Sequence, residues 1–310
     1  MAQRWEFMTE DSPLPTRTLL YADDTLLAER HTDILEEHLH TLVSVGAKYG
    51  LELHWGKTFQ LSVRDDFRAV GERSHQGMIG PWAAPLPRVD KAVYLGGLLT
   101  ADGLTHHELS VRIGEAASSF ESMRRVWRHA NIPRWRKQEI FDALIESKSL
   151  HALETCWLKK SERKRLEVFY IKCLRKVHNI QPAYVSHTSN EWVLRTAKRQ
   201  LLGRKLLQRQ LLLFGHIARQ PNGPLRDCIF QPGSNKLVVA SAKRPRGRPR
   251  QQWAVQVYGH AMATAGNVTE LNRFFLPGKS SESAWRSVVA TYCSSWSEGV
   301  GSSHSESGAA

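Results

Sequence analysis

Two adjacent aspartates, Asp23 and Asp24, are the residues of this sequence best suited to metal-assisted chemistry. Short apolar runs flank the pair, and this pattern predicts a β-hairpin whose turn carries both carboxylates. Paired carboxylates repel each other unless a cation neutralises them, and Mg²⁺ prefers oxygen ligands of this kind. Two such ions can activate an attacking oxygen and stabilise a leaving phosphate. The pair alone is weak evidence for a metal site, because most Asp pairs lie in solvated turns. We interpret Asp65 and Asp66 as a turn of this kind.

The elements that must position this pair follow from the hydrophobic pattern. The flanking leucines (Leu19, Leu20, Leu26 and Leu27) are expected to hold the hairpin rigidly against a core. Short strands and one helix are predicted up to residue 104, with strands at 51–53 and 59–63 and a strand pair at 92–100. From residue 105 the pattern is mostly helical, and residues 266–310 are expected to be weakly structured. The predicted fold class is therefore α+β.

The positive charge is concentrated in the middle of the chain. Residues 121–255 contain 29 basic and 9 acidic residues, whereas residues 1–120 contain 11 and 17. A localised basic excess attracts phosphate backbones through Coulomb attraction and counterion release. The alternative is a set of solvated helical faces with outward-pointing Lys and Arg. We favour contact with nucleic acid, and RNA and DNA are the expected partners.

A strongly basic predicted helix lies within this part of the chain, at residues 161–177. Its apolar residues recur at helical spacing, and Phe169 and Tyr170 are expected to belong to the core rather than to stack on bases. Six of its basic residues are the candidates for nucleic-acid binding: Arg163, Lys164, Arg165, Lys172, Arg175 and Lys176.

A second basic segment, residues 243–250, alternates Arg with Pro and Gly and is expected to stay extended. Arginines spaced in this way can enter a narrow, A·T-rich minor groove. The same segment could serve as a nuclear-import signal, or as a flexible linker that touches phosphates without base preference. In all three cases the candidate residues are Arg246, Arg248 and Arg250.

Several classes of protein are disfavoured by the composition. The four cysteines lie far apart and form no CxxC pair, which argues against a disulfide framework or a zinc knuckle. No apolar run is long enough to span a bilayer, and no secretory signal is evident at the N-terminus. We therefore expect an intracellular protein, nuclear or cytoplasmic, with no membrane partner.

The order of several short motifs resembles the reverse transcriptases of non-LTR (LINE-type) retrotransposons. Tyr21-Ala22-Asp23-Asp24 is similar to the polymerase motif that carries catalytic aspartates in that family. Next come Gly50-Leu51-Glu52-Leu53 and Gly56-Lys57-Thr58, which resemble a GLxxNxxKT segment, although His54 stands where Asn is usual. Tyr94-Leu95-Gly96-Gly97 with Asp102-Gly103 resembles the primer-grip segment.

The resemblance extends further along the chain. It covers about Thr18 to Tyr258. Four further short motifs occur in the same order as in the C-terminal region of the family. These motifs are Cys156-Trp157, Cys173-Leu174-Arg175, Gly215-His216-Ile217 and Pro245-Arg246-Gly247-Arg248-Pro249 followed by Trp253.

The resemblance implies a domain plan. Residues 1–104 would be a partial polymerase palm of short antiparallel hairpins and a helix, and 105–180 a helical thumb. Residues 181–265 would be a basic helical C-terminal region, and 266–310 a tail.

It also implies roles for individual residues. Asp23 would be the principal Mg²⁺ ligand and Asp24 the secondary carboxylate. Lys57 would lie near the incoming triphosphate as an electrostatic clamp or proton donor. Tyr94, Leu95 and Gly96 would shape the turn that supports the primer end.

One departure from the family pattern limits the expected activity. In these enzymes an aspartate from an earlier palm strand completes the metal site, and it precedes the hairpin. Only twenty residues precede Tyr21 here, and Asp11 is too close and too loop-like to serve. Two of three carboxylates cannot hold two Mg²⁺ ions in octahedral geometry. We expect a fragment of an RNA-directed DNA polymerase that is inactive alone; the alternative is a non-catalytic nucleic-acid-binding protein that uses the basic residues 121–255.

Overall fold

The computed structural model describes residues 18–29, 32–63, 86–221, 223–238 and 252–296. Within these residues the fold is α+β, with many helices and two small two-stranded sheets, which confirms the predicted class. Contacts along the chain divide it into two compact units. The first comprises Met1–Val93, Leu99–Gly103 and Asn222–Val238, and the second comprises Tyr94–Leu98, Leu104–Pro221 and Val239–Ala310.

The first unit begins with the predicted hairpin. Strand β1 (Thr18–Tyr21) pairs antiparallel with β2 (Asp24–Leu27), and the closing pair is Tyr21 with Asp24. Helix α1 (Thr32–Lys48) follows. A small hydrophobic cluster is built on buried Leu39 from α1 and buried Leu86, and Leu27, Leu35, Leu53 and Trp55 pack against it.

The segment after α1 differs from the sequence-based expectation. Residues 51–53 and 59–63, predicted as strands, form no regular strand. A single 3₁₀ turn, Trp55–Lys57, lies between them, and Gln60 forms an isolated parallel bridge with Arg88. Leu53 and Trp55 pack on the Leu39 cluster, whereas Leu51, Phe59 and Val63 are exposed. The apolar residues of this stretch therefore form no continuous buried face.

A second hairpin confirms the strand pair predicted at 92–100. It consists of β3 (Lys91–Tyr94) and β4 (Gly97–Thr100). Its two central residues both have positive φ, 49° at Leu95 and 77° at Gly96. Two left-handed residues define the tight turn whose twist suits a two-residue hairpin, and glycine is favoured there.

The remaining elements are helices. Those before residue 200 are α2 (Thr105–Ser122), α3 (Arg124–Arg128), α4 (Arg134–Phe141), α5 (Ser147–Leu150), α6 (Lys160–Val177), α7 (Ala183–Ser186) and α8 (Asn190–Thr196). Those after it are α9 (Leu202–Ala218), α10 (Pro224–Asp227), α11 (Trp253–Ala265), α12 (Val268–Phe274) and α13 (Lys279–Ser295). A π-helical turn, Asp142–Glu146, joins α4 to α5, and Leu153–Thr155 forms a 3₁₀ turn.

A continuous hydrophobic core holds the second unit together, from Leu109 in α2 to Leu206 in α9. Aromatic rings occupy its centre: the centroids of Phe141 and Tyr170 are 5.6 Å apart. The core runs without interruption past residue 180, the predicted end of the thumb, because α6 packs against both α2 and α9. The predicted thumb and C-terminal region therefore share one core.

The expectation of weak structure over residues 266–310 is wrong for residues 268–295. Helices α12 and α13 occupy this stretch, and the side chain of Trp285 is completely buried. The Trp285 indole N–H donates to the Leu211 carbonyl in α9 over 3.0 Å. A Cβ added at Gly215 would lie 2.3 Å from the Trp285 Nε1, so this close approach of α9 and α13 requires glycine. A buried Trp with a satisfied N–H anchors the region.

Two further findings concern the described residues only. No helix among them is long and apolar enough to cross a membrane. The four cysteines, which lie in this part of the chain, are all free thiols.

Candidate nucleic-acid interface

The two aspartates lie at the tip of the first hairpin, as predicted. Asp23 occupies the turn and Asp24 begins β2, and both side chains are exposed. Ala22, the residue before them, has a φ of +52°, a left-handed conformation that costs a non-glycine residue energy. Carboxylate oxygens presented to solvent in this way are donors of the type that Mg²⁺ prefers. Among the described residues, no group of three or more His, Cys, Asp or Glu side chains is gathered to hold a metal ion.

The support of this tip differs from the expectation. Leu19 is 44% exposed and Leu20 is 63% exposed, so β1 does not lie against a core. Only β2 is anchored, through Leu27, which packs on the Leu39 cluster. The prediction that both strands hold the pair against a core is therefore wrong for β1.

Lys57 ends the 3₁₀ turn of the first unit, and its side chain is exposed. Its neighbour Trp55 packs on the same Leu39 cluster as Leu27. One small core therefore anchors both the segment that carries Lys57 and the strand that begins at Asp24.

The turn formed by Tyr94, Leu95 and Gly96 is held from α2. The guanidinium of Arg112 donates a hydrogen bond to the Gly96 carbonyl, and the Glu108 carboxylate accepts one from the Leu98 backbone N–H over 2.7 Å. Arg112 and Glu108 also pair with each other over 2.6 Å. This buried ion pair fixes the shape of the turn.

Glu108 and Arg112 were not among the residues that the sequence singled out. Both are buried, with only 4% and 6% of their surface exposed. Their spacing of four residues on one helix places opposite charges side by side, and this pattern could have found them. Their second role, holding a distant turn, depends on how the chain folds back and has no local signal.

Helix α6 carries the six basic candidates, and the structure separates them into two groups. The exposed surface of α6 holds cations, one serine and one valine, and no carboxylate. Four of the candidates are exposed, and together with Lys160 they form what we call the α6 stripe: Lys160, Lys164, Arg165, Lys172 and Lys176.

The other two candidates, Arg163 and Arg175, are buried, at 8% and 6% exposure. Arg163 donates to the Leu158 carbonyl over 3.2 Å and lies 4.1 Å above the ring of Trp157. A guanidinium committed in this way cannot reach a phosphate without breaking internal contacts.

Arg175 is more extensively bound. Its guanidinium donates to the carbonyls of Gln181 and Thr188 over 3.0 and 2.7 Å, and to side-chain oxygens of Ser186, Thr188 and Asn190. These bonds tie the segment after α6, which contains the short helix α7 and the start of α8, to the end of α6. In the structure Arg175 organises the chain and is turned away from solvent.

Positive charge continues from the α6 stripe onto α3. Lys176 pairs with Glu121 over 2.8 Å. This hydrogen bond and the charge of Lys176 lower the pKa of the Glu121 carboxyl, and Arg124 and Arg128 lower it further. One exposed carboxylate therefore lies among three cations, which leaves this end of the stripe positive.

The third set of candidates, Arg246, Arg248 and Arg250, lies outside the described residues. No known protein family, curated protein or solved structure matches this chain. The argument for function therefore depends on the motifs and on the geometry of the two units.

Proposed function

We propose that this protein binds nucleic acid through the α6 stripe and is related to the reverse transcriptases of non-LTR retrotransposons. The observation that carries the binding proposal is the composition of the exposed surface of α6. The five exposed charged residues there are all cations, and the two carboxylates of the helix, Glu162 and Glu167, are half-buried and accept backbone N–H bonds. Arg163 and Arg175 are buried. A surface that served only solubility would be expected to mix both signs of charge.

The dimensions of the stripe suit a phosphate backbone. At about 1.5 Å per residue, the helix spans roughly 24 Å between Lys160 and Lys176. That length covers several phosphates of one strand. For each phosphate that a cation neutralises, the slope of log K against log salt becomes more negative by about 0.9. The stripe makes no demand on base identity, so it supports backbone binding of RNA or DNA.

The decisive experiment compares two double variants that lose the same charge. Lys172→Gln with Lys176→Gln changes the stripe, whereas Arg273→Gln with Arg286→Gln removes two exposed arginines from α12 and α13. We expect the stripe variant to weaken binding to a short duplex about tenfold at low salt, and to reduce the slope of log K against log salt by about two. Fluorescence anisotropy across a salt series measures both.

The control variant defines the result that would contradict the binding proposal. Arg273 and Arg286 pair with Glu270 and Glu282 on their own helices, so their loss should change affinity only through net charge. Equal effects of the two double variants would show that the stripe is not a binding surface. An affinity that does not vary with salt would remove phosphate contact altogether.

The relation to reverse transcriptases has its own support. A hairpin presents Asp23 and Asp24 at its tip, the Lys57 segment packs on the core that anchors β2, and a second hairpin turn follows at Tyr94–Gly97. Asp23 and Asp24 would hold Mg²⁺, which supplies charge neutralisation during phosphoryl transfer. We expect no primer extension by this chain on poly(rA)/oligo(dT). Incorporation that Asp23→Ala abolishes would show instead that the chain assembles a working site.

A further inference from the structure

A shallow cleft in the second unit carries an excess of positive charge. None of its cations belongs to the α6 stripe. Its volume is about 460 Å³, and four of its lining side chains are cations: Lys198, Arg199, Lys205 and Arg209. Two glutamines, Gln200 and Gln208, and one carboxylate, Asp142, complete the lining. A site with this lining would attract anions.

Two of the four cations are neutralised and held in place by carboxylates. Arg199 makes a two-pronged ion pair with Asp142, and Lys205 donates to both oxygens of Glu146, over 2.7 and 2.6 Å. The pair with Asp142 raises the pKa of Arg199. Asp142 therefore does not repel an incoming anion, because its charge is already compensated. Arg199 and Lys205 still have N–H groups left to donate.

The other two cations are not held by carboxylates of the described residues. Lys198 and Arg209 are both exposed, and among the described residues neither has an acidic partner within ion-pairing distance. The cleft therefore has two charges in excess. Preformed, anchored cations next to unpaired ones are the arrangement that binds a phosphate through charge-assisted hydrogen bonds.

The backbone at Lys198 provides an independent observation. Helix α8 ends in a Schellman motif, in which the Arg199 N–H bonds the Leu194 carbonyl and the Lys198 N–H bonds the Arg195 carbonyl. The motif requires a left-handed residue, usually Gly, yet Lys198 fills it at a φ of +51°. Backbone strain of this kind clusters at functional sites.

Helix α6 ends in the same motif, but its left-handed position holds a residue type that adopts this conformation readily. There the Ile180 N–H bonds the Arg175 carbonyl, and the left-handed position is Asn179, at a φ of +56°. Asn tolerates this conformation well. The two motifs thus differ mainly in the side chain at the strained position, and only the one beside the cleft presents a cation.

The element that contributes Asp142 to the cleft is also unusual. Asp142 and Glu146 are the two ends of the π-helical turn, and each holds one cation. Such turns are rare and frequently lie at functional sites. The N-terminus of α9 does not contribute, because Glu167 already accepts the backbone N–H groups of Leu202 and Gly203.

We propose that this cleft is a phosphate-binding site, in which Lys198 and Arg209 bind the phosphate and Arg199 and Lys205 support it. The phosphate can belong to a polynucleotide backbone or to a free di- or triphosphate. The first source rests on the proposed nucleic-acid binding, and the second does not.

The test uses the full chain and a double variant, Lys198→Gly with Arg209→Gln. Glycine is the preferred residue at the left-handed position, so the variant should keep its melting temperature while losing both charges. The matched control is Asn179→Gly, which makes the same backbone change without touching the cleft. Binding is measured to a short DNA duplex by anisotropy and to inorganic pyrophosphate by calorimetry.

The proposal expects the cleft variant to lose about tenfold in affinity for at least one probe, and Asn179→Gly to match the unaltered protein. Loss for the duplex identifies backbone phosphates, and loss for pyrophosphate alone identifies a free phosphate ligand. Unchanged binding of both probes, or no binding of either by the unaltered protein, overturns the proposal. The Lys172→Gln, Lys176→Gln variant measured in parallel reports separately on the α6 stripe.

Discussion

Helix α6 carries cations on two faces, and their environments differ completely. On the buried face, Arg163 stacks on Trp157 and Arg175 binds five oxygen atoms of the segment after the helix. On the exposed face, Lys164 and Lys176 are next in sequence to these two arginines yet point to solvent. The same charge therefore organises the fold on one side, and on the other it makes only solvent-exposed contacts such as the Lys176–Glu121 pair.

This difference explains why a count of basic residues overstates a binding surface. Arginine suits the buried role, because its planar guanidinium can satisfy several acceptors at once. Lysine suits the exposed role as a mobile point charge on a flexible stem. Adjacent residues on the two faces, Arg175 with Lys176 and Arg163 with Lys164, offer matched pairs with which to test the distinction.

The largest effect is expected at Arg175. Arg175→Met should lower the free energy of unfolding by about 3 kcal/mol, because it leaves two carbonyls and three side-chain oxygens without their donor. Lys176→Met should cost less than about 0.5 kcal/mol. Urea denaturation monitored by circular dichroism compares the two variants. Similar losses in the free energy of unfolding would contradict the distinction between the two faces, since they would mean that Arg175 contributes no more to the fold than a surface lysine.

A pH-dependent effect of intermediate size is expected from His260, which donates or accepts a hydrogen bond with Tyr292 over 2.9 Å. Burial, and then the charge of Arg163, lower the pKa of His260 to about 4. An unfolded His has a pKa of about 6.5, so the unfolded state binds this proton more readily. Stability is therefore full above about pH 6.5 and is lost as the pH falls towards 4, by on the order of 2 kcal/mol after allowance for solvent screening.

The variants separate the causes of this acid sensitivity. His260→Gln should reduce the loss of stability between about pH 7 and pH 4.5, measured by chemical denaturation at each pH. Arg163→Gln should also reduce it, because the pKa of His260 rises when the nearby charge is removed. Lys164→Gln should leave the pH profile unchanged. If Lys164→Gln alters the profile as much as Arg163→Gln does, the two faces of α6 are not electrostatically distinct.

The smallest effect on stability is expected on the stripe itself. Lys172→Gln with Lys176→Gln should change the free energy of unfolding by less than about 0.5 kcal/mol, since the Lys176–Glu121 pair is exposed. Thermal melts at two salt concentrations would measure this. A large loss of stability would mean that any fall in affinity reports unfolding, and the binding experiment would then need single substitutions.

The hairpins were predictable because their signals are local. Paired leucines around Asp23 and Asp24, and the Leu95-Gly96 turn between short apolar runs, lie within a few residues of each other. The buried face of α6 could also be predicted from the sequence. Leu166, Tyr170 and Leu174 recur at helical spacing and define a face that includes Arg163.

Other features depend on contacts between distant residues. The oxygen atoms that bind Arg175 come from residues 181–190, and no periodicity in the sequence reveals how this segment folds back past the short helix α7. Helix α13 buries Trp285, Val289 and Cys293 at intervals of four, a narrow stripe in an otherwise polar sequence. The cleft at Lys198 combines α8, α9 and the π-helical turn, so the sequence alone gave no reason to group its residues.

The close contact between Gly215 and Trp285 has a consequence for synthesis of the chain. The indole fills the space that a side chain at residue 215 would take, and its hydrogen-bond acceptor Leu211 lies 74 residues earlier. Helix α9 therefore leaves the ribosome well before its partner, with Leu211, Phe214 and the groove beside Gly215 uncovered. At about 5–20 residues per second, this apolar surface stays open for several seconds. During that interval the nascent helical unit is expected to need protection from aggregation.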